Sequence, residues 1–115
     1  MTAEDFRQAA LSMPEAGEGA HMGHADFRVG GRIFATLGSP SAEWGMVKLR
    51  PEQQEVLVAA KPGMFRPVRG GWGQKGATNV RLDAVDAASL RGALWMAWRN
   101  TAPAKLATRA GETPP

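Results

Sequence analysis

The side chains in this sequence best suited to chemistry are cationic and aromatic. From Lys61 to Arg81 the chain carries five basic residues (Lys61, Arg66, Arg69, Lys75 and Arg81) and no acid. Trp72 lies inside that run, with Gly71 and Gly73 on either side. Two more guanidinium groups, Arg28 and Arg32, flank the pair Gly30-Gly31. Guanidinium groups suit bidentate phosphate contact and are less hydrated than ammonium groups. Arg28, Arg32, Arg66, Arg69, Trp72 and Lys75 are therefore the candidate residues for binding nucleic acid, with contacts mainly to phosphates. With glycines beside it, Trp72 has no local packing partner. It is either a lid inserted over the core or an exposed stacking platform, and the rarity of solitary exposed Trp in monomers favours the lid.

Other constellations point to less. His21 and His24 form His-x-x-His beside Asp26. With no Cys and no second clustered carboxylate, a complete metal-ligand set is not visible, so no metal or cofactor is expected. Ser12, Ser39, Ser41 and Ser89 lie in no elbow motif, and both His sit in one local segment, so no nucleophile–base pair stands out and an enzyme is not expected. Glu15 and Glu18 read as solvated loop acids. Gly70–Gly76 superficially suggests a phosphate loop, but it lacks the Gly-Lys-Ser/Thr ending and does not lead into a helix.

The bulk composition sets the bounds. One domain fits 115 residues, and 43% hydrophobic with 22% charged residues is ordinary for a globular chain. Fourteen basic residues, ten of them Arg, against eleven acids leave a net charge of +3. Such a surplus is compatible with plain solubility, and the Gly- and Trp-interleaved basic run raises the nucleic-acid reading. The absence of Cys excludes disulfides, thiolate catalysis and zinc–thiolate sites. No apolar run approaches the ~20 residues of a membrane span, and no signal-peptide pattern opens the chain. A monomer with a cytoplasmic location is the default expectation.

The elements that would position these residues follow from periodicity. Phe27–Leu37 is two short β-rich runs around Gly30-Gly31, the chemistry of a two-residue I′ hairpin. That register sets Phe27 opposite Phe34, Arg28 opposite Ile33 and Val29 opposite Arg32. Arg28 and Arg32 then point to opposite faces at a basic tip. Thr2 caps a first helix whose Phe6, Ala9, Ala10 and Met13 share a face, and Pro14 ends it. Glu15–Gly23 reads as a loop. Glu43–Leu49 is a strand with Trp44, Met46 and Lys48 on one side. Pro51 opens a short second helix with Val56, Leu57, Ala59 and Ala60 as its buried side. Met64–Val68 reads as a brief strand that Pro67 confines to an edge or a bulge, Arg69–Gly76 as a mobile loop, and Ala77–Leu82 as a last strand. Asp86 caps a third helix, with Leu90, Ala93, Leu94, Ala97 and Trp98 as its apolar stripe and Trp95 at the border. Residues 1–103 form the domain, and 104–115 read as a frayed, flexible tail. This order predicts an α+β two-layer sandwich, with the N- and C-terminal helices on one face of an antiparallel sheet.

Together these pieces resemble the MmcQ/YjbR family. The matching features are the N-terminal helix, Phe27-Arg-Val-Gly-Gly-Arg-Ile-Phe34-Ala, and Lys48-Leu-Arg-Pro51-Glu52. Lys61-Pro-Gly63 with Phe65, Gly71-Trp72 before a strand, and Ala97-Trp98-Arg99 closing a helix complete the set. The resemblance spans about Ala3 to Ala104. It implies a fold similar to frataxin and its bacterial relative CyaY, and a DNA-binding role through a double-wing arrangement of hairpins. Frataxin-like proteins bind iron on an acidic ridge of the first helix and strand. Here that region supplies only Glu4, Asp5, Glu15 and Glu18, spread over a helix and a loop. The expected function is thus a non-enzymatic DNA-binding module. The alternative is a frataxin-like adaptor, in which the same cations meet an acidic protein partner or a metabolite.

Overall fold

A computed structural model describes residues 1–115. In chain order the elements are α1 (Ala3–Leu11), β1 (Gly17–His21), β2 (His24–Val29), β3 (Arg32–Leu37), β4 (Trp44–Lys48) and α2 (Pro51–Ala60). They continue with β5 (Phe65–Pro67), α3 (Gly71–Gln74), β6 (Ala77–Arg81), α4 (Ala87–Thr101) and α5 (Ala104–Ala110). One sheet holds all six strands in the order β1-β2-β3-β4-β6-β5. Every neighbouring pair is antiparallel.

The sheet is built outward from the β2–β3 hairpin. Gly30 and Gly31 both take the left-handed backbone (φ 59° and 79°) that an I′ turn needs. Arg28 faces Ile33 and Val29 faces Arg32, as the two-residue turn requires. One step further the register shifts, and Phe27 faces Ala35 rather than Phe34. A bulge between Phe27 and Arg28 absorbs the extra residue. Phe27, Val29, Phe34 and Ala35 are all fully buried as a result.

Helices cover one face of this sheet. α4 packs on β3 and β4, and α1 packs on α4 and β3. Thr2 and Asp5 form a reciprocal capping box at the start of α1. Asp86 caps α4 by accepting from the Ser89 N–H at 2.7 Å. Val85 and Leu90, on either side of that cap, are both buried. Leu90, Ala93, Leu94, Ala97 and Trp98 form the buried stripe of α4. The two layers interlock where Phe6 of α1 lies over Gly45 of β4, so closely that a Cβ there would meet the ring at 2.5 Å. The architecture is an α+β two-layer sandwich with the N- and C-terminal helices on one face.

Several local expectations give way to tertiary context. The segment expected as a loop, Glu15–Gly23, contains β1, which pairs with β2 across a turn where Met22 and Gly23 both have positive φ. Within the expected loop 69–76 the chain forms the short helix α3. The expected tail forms α5, whose Leu106 and Ala110 pack against the core. After it the chain runs back along α4, where the Trp95 indole N–H donates to the Glu112 carbonyl at 3.0 Å. Trp95 is therefore buried instead of marginal, and its ring stacks on Trp98 with centroids 4.9 Å apart.

The second helix departs furthest from its expected packing. No residue of α2 is buried, and only Leu57 and Val58 pack against the core. Val56, placed on the buried side by periodicity, is 66% exposed. Its anchors are polar instead: the Gln53 and Asn100 side chains bond each other, and the Asn100 amide donates to the Lys48 carbonyl. Val56→Ser should change stability by less than about 0.5 kcal/mol, the range of ordinary surface substitutions. Chemical denaturation checks this, and a loss above about 1 kcal/mol would mean that Val56 packs more tightly than its exposure indicates.

Candidate nucleic-acid interface

Strand parity decides what the helix-free face carries. Phe27, Ala35, Val47 and Val80 alternate toward the helices, so their neighbours face the other way. One complete row crosses that open face through paired positions: Gly19, Asp26, Thr36, Met46, Asn79 and Arg66. At a spacing of about 4.8 Å per strand, the row spans about 24 Å. Trp44 lies opposite Arg81 on one side of it, and Lys48 lies opposite Ala77 on the other.

The β5–β6 end is cationic and aromatic. The Arg66 guanidinium sits 4.1 Å from the centroid of the Trp44 ring, and that of Arg81 lies at 6.0 Å. This places cations over a ring that is only 9% exposed. Lys48 Nζ lies 5.7 Å from the Trp72 ring. Trp72 itself is 66% exposed, so the lid expected over the core is not formed. The reason is local: α3 turns between Gly70 and Lys75, and it is Gly73, not Trp72, that the turn buries against the Val68 carbonyl.

The other end of the face is built around a carboxylate. Asp26 is fully buried and takes hydrogen bonds from Arg28 Nε at 2.8 Å and Arg28 Nη2 at 3.0 Å. His21 Nδ1 lies 2.8 Å from its second oxygen. An ionised carboxylate only accepts, so that histidine nitrogen is the donor. Gly19 leaves the space, because a Cβ there would lie 2.9 Å from Asp26 Oδ1. The Arg28 hydrogen bonds hold the Asp26 pKa at about 2 instead of 3.8, against the upward push of burial and with help from His21. His24 lies against Gly38 instead of joining this group, and no three His, Asp or Glu side chains come together as a metal-ligand set.

The six candidate residues separate into two groups. Arg66, Arg69, Trp72 and Lys75 belong to β5 and the connection to β6, and all four are exposed. None of Arg66, Arg69 and Lys75 is ion-paired. Arg28 shares the open face, but lies four strands away and is committed to Asp26. Arg32 lies at the hairpin tip on the helix side, and that tip is docked, since a Cβ on Gly30 would be 2.8 Å from the Pro103 ring. The structure adds Trp44, Lys48 and Arg81 to the first group. Their alternation along β4 and β6 is visible in the sequence; the pairing of β4 with β6, which brings them together, is not.

The fold and this face define a small α+β sandwich with an open, cation-rich and aromatic sheet surface. The family model described as YjbR matches residues 11–100, and the chain belongs to that family. Deinococcus radiodurans protein DR2400, whose domain is described as DUF419, shares the fold, with a TM-score of 0.71 at 24% identity. That similarity covers 86% of this chain and 77% of DR2400. No curated protein matches the chain. No helix is long and apolar enough to cross a membrane.

Proposed function

We propose that the chain is a non-enzymatic DNA-binding module whose contacts are mainly to phosphates. The observation that carries this reading is the composition of the open sheet face at its β5–β6 end. Lys48 and Arg66 project there without ion-pair partners, next to Arg69 and Lys75 of the adjoining connection. The one carboxylate at a paired position of the face is Asp26, and it is buried and neutralised by Arg28. Asp83 at the margin is likewise bonded to Arg81, at 2.7 Å. A polyanion meeting this surface finds free cations, and the carboxylate at a paired position of the face is already compensated. The hairpin tip contributes less than its sequence suggests, because Arg28 is bound and the turn is docked on Pro103.

Counterion release makes the reading quantitative. Four phosphate contacts, from Lys48, Arg66, Arg69 and Lys75, should give a slope of log affinity against log salt of about −3.6 on duplex DNA, from about −0.9 per contact. Arg69→Ala should flatten that slope by about one and weaken all sequences alike. Fluorescence-anisotropy titrations of a labelled random duplex at several salt concentrations measure both. If neither duplex nor single-stranded DNA binds even at low salt, the reading fails, and the cations serve solubility or an acidic protein partner.

A further inference from the structure

The two tryptophans at the β5–β6 end differ in what covers them. Trp44 is flanked by the Arg66 and Arg81 guanidinium groups and has little free surface. Trp72 meets the Lys48 ammonium group and otherwise stands open at 66% exposure. A large ring left in water needs a reason, since most Trp side chains find cover.

The exposure is also held in place. The Gln54 side-chain amide, reaching from α2, donates to the Gly73 carbonyl at 3.0 Å and to the Ala77 carbonyl at 2.9 Å. A Cβ on Gly73 would lie 1.7 Å from the Val68 carbonyl oxygen, so only glycine allows α3 to sit this close to the strand. The Val68 N–H donates back to the Ala77 carbonyl at 3.0 Å. These bonds clamp the turn on both sides of Trp72. The ring is presented by a fixed scaffold, which lowers the entropy lost when a partner stacks on it.

We propose that this end of the open sheet face binds single-stranded DNA. An unpaired base stacks on Trp72, and Lys48, Arg66, Arg69 and Lys75 meet the neighbouring phosphates. The proposal rests on the DNA-binding reading above and deepens it. A duplex keeps its base faces stacked inside, out of reach of Trp72, whereas a single strand offers both its charge and its π-faces. The cations of this end are carried by strands and the β5–β6 connection, not by a helix long enough to enter a major groove, and a sheet surface suits splayed bases better. Discrimination for RNA would need hydrogen-bonding groups at the 2′-hydroxyl. The neutral polar side chains of the central row, Thr36 and Asn79, are only 8% and 7% exposed, so the face has little to reward that hydroxyl.

Fluorescence anisotropy with a labelled oligothymidine of about a dozen nucleotides tests this, beside the same strand in duplex form, an oligouridine and polyglutamate. The single strand should bind roughly tenfold or more tightly than the duplex, and its binding should quench tryptophan emission. Trp72→Ala should weaken the single strand by about 5- to 150-fold, the value of one base stack, while leaving the salt slope unchanged. Trp72→Phe, which keeps a stacking face, should recover most of the loss. A duplex that binds as tightly as the strand, or a Trp72→Ala variant with undiminished affinity, overturns the single-strand site while the DNA-binding reading stands. Loss of all nucleic-acid binding overturns both. Tighter binding of oligouridine overturns the assignment to DNA, and tighter binding of polyglutamate overturns it in favour of an acidic protein partner.

Discussion

Leu94→Ala should destabilise the protein by about 2–5 kcal/mol, because the substitution removes a fully buried side chain at the interface of the two layers. Leu94 lies in α4, the helix that packs on β3 and β4 at the middle of the six-stranded sheet. A cavity there is lined by sheet on one side and by α4 itself on the other, and neither can collapse far into it. Stabilities of small domains are about 5–15 kcal/mol, so the change removes a large fraction of the total. In a urea titration the midpoint should fall while the slope stays constant, since the native surface is almost unchanged. A loss below about 0.5 kcal/mol would mean that the α4 stripe does not bear on the sheet.

The stripe through Leu94 is legible because its cause is local. Leu90, Leu94 and Trp98 recur at helical spacing, Asp86 marks the start, and nothing distant is needed to read them. The Gly30-Gly31 hairpin is legible for the same reason. β1 fails the same test, since Gly17 and Gly19 have no strand propensity. What makes β1 a strand is the partner: β2 offers an open edge, and Gly19 is small because Asp26 needs the room above it. Likewise α5 has little pattern of its own, and its packing is set by the core that α4 exposes to it. Val56 errs in the opposite direction. Its spacing promises burial, but α2 is tethered at the sheet margin through Gln53, Gln54 and Asn100, so the helix turns Leu57 and Val58 to the core and leaves Val56 in water.

The interface residues show the same division. The basic run from Lys61 to Arg81 and the isolation of Trp72 are visible in the sequence. Whether Trp72 turns inward depends on Gly73 meeting the Val68 carbonyl, a contact between residues whose types carry no such signal. Arg28 shows how far charge alone misleads. At the sequence level it is a free guanidinium beside a turn, and only the strand geometry reveals that Asp26 two residues earlier holds it.

That pairing leads to the second large effect, a pH-dependent one. The Asp26 pKa is lowered to about 2 from an ordinary 3.8, chiefly by the Arg28 hydrogen bonds. A carboxyl group whose pKa is lower folded than unfolded binds protons more readily in the unfolded chain. Its contribution is therefore full above the unfolded value, near 4, and is lost as the pH falls through about 4 to about 2. The gap corresponds to about 2 kcal/mol at neutral pH. Asp26→Asn keeps the shape but removes the charge, so it should cost about 2 kcal/mol at pH 7, with Arg28 and His21 both left facing a neutral amide. Stability curves of wild type and variant should converge as the pH drops toward 2, because the wild-type carboxyl is then being protonated as well. Parallel curves down to pH 2 would show that the loss comes from packing around Gly19 and not from the ion pair. Arg28→Lys, measured beside it, separates the guanidinium geometry from charge. A lysine has no planar fork to span both Asp26 oxygens, so it should retain only part of the pH dependence.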